Sequence, residues 1–264
     1  MVIHERGAGT PLILVPSIHG RWEYLRPAID ALAEFFRVVT FSLSDEPSSW
    51  CSFDATLGLD NFVRQIDEAM QRTNAVPAVV CGVSFGGLVA LRFAAARPAA
   101  TAALVLASTP GPGWHLRPRH AAYARVPWLG GPLFAIETPR RLAAELRAAF
   151  PDPRERRRFA FDQLRLAVRR PLSPARMARR ALMIESCDVR AWSAKVAAPT
   201  LVVTGEPSLD HVVSADGSIE YVRMIPGGRH AMLERTGHLG TITRPLAFAD
   251  IVRRFTREAV HAAA

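Results

Sequence analysis

Hydrophobic positions follow two rhythms along this chain. Continuous runs rich in Val, Ile and Leu occur at 12–15, 38–41, 76–83, 102–107 and 200–204. Short apolar runs without polar alternation mark strands buried on both faces, as in parallel sheets. Elsewhere apolar residues recur every three or four positions, the period of a helix with one buried face. Leu25, Ile29, Leu32 and Phe36 do so over 22–36, with Pro27 suited to a first turn; Leu59, Phe62, Val63, Ile66 and Met70 over 57–73; Phe248, Ile251, Val252 and Phe255 over 246–260. Shorter strands are predicted at 1–5 and 231–233, and helices at 88–97 and 215–223. Strand and helix alternate, so the fold class is α/β: a mostly parallel central sheet with helices on both faces.

The alternation stops at Ser108. Thr109-Pro110-Gly111-Pro112-Gly113 is a breaker run, and helical segments then follow at 139–150, 152–169 and 174–184, with Leu142, Leu146, Phe159, Leu164, Met177 and Met183 as their apolar positions. Alternation resumes at Pro199. The organisation expected is a core of residues 1–108 and 196–264, with 109–195 as a helical insertion laid over the sheet.

Composition narrows the class. The chain has 264 residues, 49% hydrophobic and 22% charged, which suits one α/β domain with an inserted piece. Three scattered cysteines, Cys51, Cys81 and Cys187, make neither a disulfide framework nor a zinc site, so a reducing, cytoplasmic setting is expected. Met1 to Arg6 lacks the apolar stretch of a signal peptide, and no apolar run approaches the ~20 residues of a membrane span. The net charge of +9 is uneven: residues 108–195 hold 18 of the 33 basic and 7 of the 24 acidic side chains. Every basic residue but Lys195 is arginine, which coding bias explains most simply. The sharper alternative is an insertion that attracts anionic substrates or a membrane surface. No basic–aromatic interleave supports nucleic-acid binding. The partner expected is a small-molecule substrate, with no stable membrane insertion and no nucleic acid.

Chemistry concentrates after the strand at 76–83. Gly82-Val83-Ser84-Phe85-Gly86 reads G-x-S-x-G between a strand and a helix. That setting puts a serine on a sharp turn, with glycines where strand and helix come too close for side chains. A serine needs a base, and the base an orienting acid, in loops beyond the carboxyl ends of later strands. After 200–204 come Glu206 and Asp210; after 231–233 comes Gly237-His238-Leu239. His238 is the base candidate. Asp210 is preferred to Glu206, because its loop closes on Val212-Val213 before the next helix. His19, in the first loop, is placed to line a pocket, as are Trp22, Trp114 and Trp128.

With the elbow, Pro199-Thr200-Leu201-Val202-Val203-Thr204-Gly205-Glu206 and Gly237-His238-Leu239, the chain resembles the α/β-hydrolase family over nearly its whole length. The resemblance implies Ser84 as nucleophile, His238 as general base, Asp210 as its partner and 109–195 as a helical cap. It implies oxyanion donors at the backbone N–H groups of Ile18 and Phe85, although Pro16-Ser17 stands where the family usually has His-Gly. It implies no cofactor, and no cluster with metal-ligand spacing is seen. The activity expected is hydrolysis of a carboxylic ester, thioester or lactone. The alternatives are a carbon–carbon bond hydrolase of aromatic catabolism and a ligand-binding protein with little turnover.

Overall fold

The computed structural model describes the backbone of residues 1–263, and side chains except at 127, 129–137, 139 and 260–263. Among the described residues, one sheet joins β1 (Ile3–Arg6), β2 (Pro11–Val15), β3 (Arg37–Phe41), β4 (Ala78–Val83), β5 (Thr101–Ala107), β6 (Thr200–Thr204) and β7 (Arg229–Met232). Their order is β1-β3-β2-β4-β5-β6-β7, antiparallel between β1 and β3 and parallel elsewhere. From β2 the chain winds outward to β3 on one side; from β4 it winds to β5, β6 and β7 on the other. The reversal leaves a crevice at the carboxyl ends of β2 and β4, where sheets of this kind bind ligands.

Alternate side chains of the strands feed two cores. Ile13, Val80, Leu104 and Val202 pack on α2 (Asp60–Thr73), α3 (Phe85–Ala96) and α9 (Ala215–Met224), through Phe62, Ile66, Leu88 and Tyr221. Leu12, Leu14, Val79, Val105 and Val203 face α1 (Arg26–Leu32) and α10 (Pro245–Ala263), through Ile29, Leu32, Phe248 and Val252. The helix predicted over 22–36 is shorter. It opens with a 3-10 turn, Trp22–Leu25, and α1 ends at Leu32 because the chain must enter β3, where the Arg37 N–H already donates to the Thr10 carbonyl.

Between β5 and β6 lie α4 (Pro118–Arg125), α5 (Pro127–Ala149), α6 (Pro153–Arg169), α7 (Pro174–Glu185) and α8 (Val189–Ser193). A proline opens each of the first four, where its missing N–H and fixed φ suit a helix start. Asp152 and Ser173 cap α6 and α7 by accepting from the N–H groups of Arg154 and Arg176. α5 starts at Pro127, well before the helix expected over 139–150, so it is longer than predicted. Leu164 is not one of the apolar contacts expected of it, being 62% exposed. No described helix is long and apolar enough to cross a membrane.

Candidate active site

Ser84 follows β4 in a strained conformation, φ 53° and ψ −118°, and α3 starts at the next residue. Its own N–H donates to the Ala107 carbonyl on β5 at 2.8 Å, pinning the turn to the sheet. A Cβ on Gly82 would strike the Gly86 carbonyl, and one on Gly86 the carbonyls of Val15 and Pro16. The glycines therefore bring the elbow against the loop that follows β2.

The acid and base loops are fitted as closely. A Cβ on Gly237 would collide with the Leu209 carbonyl and the Asp210 N–H. Glu206 adds two ties: its N–H donates to the Thr236 carbonyl at 2.8 Å, and its carboxylate accepts from the Arg235 N–H at 2.6 Å. Glu206 thus joins the two loops, and Asp210 faces the histidine. His238 Nδ1 lies 3.3 Å from Asp210 Oδ2, and His238 Nε2 lies 3.2 Å from Ser84 Oγ. The other Asp210 oxygen accepts from the N–H groups of Val212 at 2.9 Å and Val213 at 2.8 Å. Burial alone would raise the Asp210 carboxyl, but the hydrogen bond and charge of His238 and the two N–H donors outweigh it, so its pKa lies below the ordinary value. The arrangement is a buried carboxylate, an imidazole and a hydroxyl in hydrogen-bonding sequence.

Two like turns flank the hydroxyl. The Ser17 carbonyl accepts from the Gly20 N–H at 2.8 Å, and the Ser84 carbonyl from the Gly87 N–H at 2.8 Å. Within a trans peptide plane the C=O and N–H point opposite ways. Each turn therefore aims the following N–H, of Ile18 and of Phe85, away from its own hydrogen bond. The Phe85 N–H also sits at the positive end of α3.

The pocket residues fare differently. His19 is half-buried, with Nδ1 3.3 Å from Ser17 Oγ. Its pKa is lowered to about 4, first by burial and then by the charges of His238 and Arg180, so the ring is uncharged at neutral pH. Trp114 stands by the acid loop, its Nε1 3.5 Å from the Val212 carbonyl. Trp22 and Trp128 correct the expectation. Trp22 stacks on His4 of β1 with ring centroids 4.1 Å apart, and Trp128 is 78% exposed.

Two contributions from the helices between β5 and β6 escaped the sequence reading. Glu145 of α5 is fully buried, and one oxygen accepts from the N–H of Gly237 at 2.8 Å, the N–H of Leu239 at 2.6 Å and the hydroxyl of Thr236 at 2.9 Å. It thus grips the backbone on both sides of His238. Burial pushes the Glu145 carboxyl above its ordinary value, against those three donors and the charge of His238. Arg180 of α7, also fully buried, pairs with Asp45 and Glu46 at 2.6 Å each and donates to the Ile18 carbonyl at 2.8 Å. The signal was available: Glu145 falls in register with Leu142, Leu146 and Ala149, and Arg180 with Met177, Ala181 and Ile184. A charge inside an apolar stripe has a partner waiting. Among the described residues no group of three or more His, Cys, Asp or Glu could hold a metal ion.

The sequence pattern of the alpha/beta hydrolase family matches residues 7–251. Solved structures align over almost all of the chain. An enol-lactonase from Burkholderia xenovorans has a TM-score of 0.78 at 21% identity, covering 96% of this chain and 95% of that one. A thermophilic esterase from Thermogutta terrifontis has 0.78 at 20%, covering 98% and 93%. A meta-cleavage product hydrolase from Pseudomonas fluorescens has 0.71 at 21%, covering 97% and 94%.

Proposed function

The chain belongs to the alpha/beta hydrolase family, and on that premise we propose that it is a serine hydrolase that cleaves a carboxylic ester, thioester or lactone through an acyl-enzyme. The observation that carries this reading is the run of two hydrogen bonds, 3.2 Å from Ser84 to His238 and 3.3 Å from His238 to Asp210. Both are at the long end for such contacts, as is usual before substrate closes the site.

In the proposed reaction Ser84 Oγ attacks the carbonyl carbon and His238 Nε2 takes its proton. Asp210 keeps the proton on Nδ1 and stabilises the imidazolium. The tetrahedral oxyanion settles on the N–H groups of Ile18 and Phe85, which need no reorganisation because each belongs to a fixed turn. Collapse expels the alcohol, thiol or ring oxygen, which takes the proton from His238. Water, deprotonated by His238, then hydrolyses the acyl-enzyme. The proposed setting is the cytoplasm, which suits the free thiols of Cys51, Cys81 and Cys187. Arg180 does not favour the carbon–carbon hydrolase alternative, since its charge is already met by Asp45 and Glu46.

The test combines a fluorophosphonate label with nitrophenyl esters of graded chain length. Wild type is expected to label at Ser84 and to turn over, whereas Ser84→Ala is expected to lose the label and roughly 10⁴-fold or more in turnover while its melting is unchanged. Turnover retained in Ser84→Ala, or saturable ester binding with neither label nor turnover in wild type, would overturn the proposal.

A further inference from the structure

Helix α6 has two unlike faces. Inward lie Arg156, Phe159, Gln163 and Leu166, all half-buried; Phe159 packs on Phe150 at 5.1 Å, and the Arg156 guanidinium donates to the carbonyls of Phe150 and Pro151 at 2.7 and 2.9 Å. Outward lie Phe161, Leu164 and Val168, exposed by 64%, 62% and 76%. Exposed with them are Arg154, Arg157, Arg158, Arg165 and Arg169. The spacing of three and four residues gathers all eight into one stripe on the 17-residue helix, about 25 Å long at the rise of an α-helix. Glu155 and Asp162 reach only the stripe's edge. Among the described residues, none of the five guanidinium groups pairs with a carboxylate.

Neither half of this surface is explained by folding. Three large apolar side chains in water gain nothing, and five unpaired cations along one stripe repel one another. Interspersed arginine and large apolar residues on the solvent side of an amphipathic helix do suit one environment, the boundary between lipid head groups and acyl chains. We propose that α6 docks the protein, peripherally and reversibly, on a membrane surface that contains anionic lipids. The arginines meet lipid phosphate and carboxylate groups, and Phe161, Leu164 and Val168 enter the shallow apolar layer. A second copy of the chain fits less well, because a symmetric pair would set five arginines against five. Nucleic acid fits less well because the apolar triplet would lie against a sugar–phosphate backbone. The inference goes beyond the proposed hydrolysis and stands without it.

The experiment is co-sedimentation of the full-length protein with vesicles of phosphatidylcholine, alone or with about a third phosphatidylserine. Wild type is expected to sediment with the anionic vesicles only and to be released by high salt. Arg154→Gln with Arg158→Gln and Arg165→Gln is expected to weaken binding roughly fivefold per arginine. Phe161→Ser with Leu164→Ser is expected to weaken it as well, with melting and any ester turnover unchanged because all these side chains are solvent-facing. Equal sedimentation with neutral vesicles, or none with either, would overturn the proposal. So would salt-insensitive binding by wild type, which can be read even if a variant misfolds. A dimer in light scattering that the serine pair dissolves, or DNA binding stronger than vesicle binding, would assign the surface to those partners instead.

Discussion

Two helices between β5 and β6 each press a charged side chain into the core, and the core receives them in opposite ways. Arg180 of α7 meets two carboxylates, Asp45 and Glu46, so its charge is answered by charge. Glu145 of α5 meets only neutral donors, the N–H groups of Gly237 and Leu239 and the hydroxyl of Thr236, and its second oxygen is buried without a partner among the described residues. The first anchor steadies the loop that carries Ile18; the second steadies the loop that carries His238. The difference teaches what each is for. A buried ion cluster is costly to break but adds little over an apolar replacement. A carboxylate that organises backbone N–H groups holds a loop in one geometry, and its worth lies in placement.

The largest expected effect separates the anchors at once. Arg180→Met leaves Asp45 without its cation and Glu46 with Arg176 alone, at 3.3 Å, and unfolding measurements should show a loss of about 3–5 kcal/mol. Adding Asp45→Asn and Glu46→Gln should restore most of it. If the single substitution costs less than 1 kcal/mol, the cluster is not the sealed unit described, and the contrast fails.

Glu145→Ala should come next, at about 1–3 kcal/mol, because three donors lose their acceptor and only entering water can replace it. Its distinguishing sign is kinetic: kcat for a good ester should drop further than stability explains, as the His238 loop relaxes. Glu145→Gln keeps an acceptor oxygen and should cost less than 1 kcal/mol at neutral pH.

Glu145→Gln also carries a pH signature. The folded-state pKa of Glu145 is raised above its ordinary 4.5. The ionisation penalty of burial is therefore absent below the unfolded value and grows as pH rises from that value towards the folded one. Wild type should thus lose stability relative to Glu145→Gln as pH climbs above 4.5, and the gap should become constant once the carboxyl is ionised in both states. A pH-independent gap would contradict the burial argument.

The effect that is smallest at neutral pH, and appears only in acid, reports on the space between the anchors. His19 feels both His238 and Arg180, and its pKa is lowered from 6.5 to about 4. The unfolded chain takes up this proton below pH 6.5, whereas the folded protein refuses it until about pH 4. Wild type should therefore weaken relative to His19→Gln only as pH falls through that window. Equal melting of the two across it would show that the ring is open to water.

The sheet and the elbow were legible because buried parallel strands and close backbone approaches leave few choices. The apolar runs at 12–15, 38–41 and 102–107, and the glycines around Ser84, admit one reading. The same holds for Gly237, whose neighbours on the acid loop leave no room for a side chain. The stretch between β5 and β6 was legible only in part. No residue of α4 is buried, so no apolar stripe announced it, whereas α6 and α7, each with an apolar face, lie where helices were expected at 152–169 and 174–184. Trp22 and Trp128 show the limit for pocket residues: aromatic identity does not say which way a ring turns, and one stacks on β1 while the other meets solvent. Glu145 and Arg180 lay in plain register with apolar neighbours, yet a buried charge is intelligible only once its partners, distant in the chain, are in place.

The seating of Arg180 against Gly20 carries a practical corollary for protein engineers. The guanidinium fills the space a side chain at position 20 would need, so strand-end loop and overlying helices form a lock and its key. Grafting foreign helices onto this scaffold, or these helices onto another, would leave Asp45 and Glu46 facing a void and Glu145 without a loop to hold. Chimaeras should transfer Gly20, Asp45 and Glu46 together with α7, and residues 236–239 together with α5, as two inseparable sets.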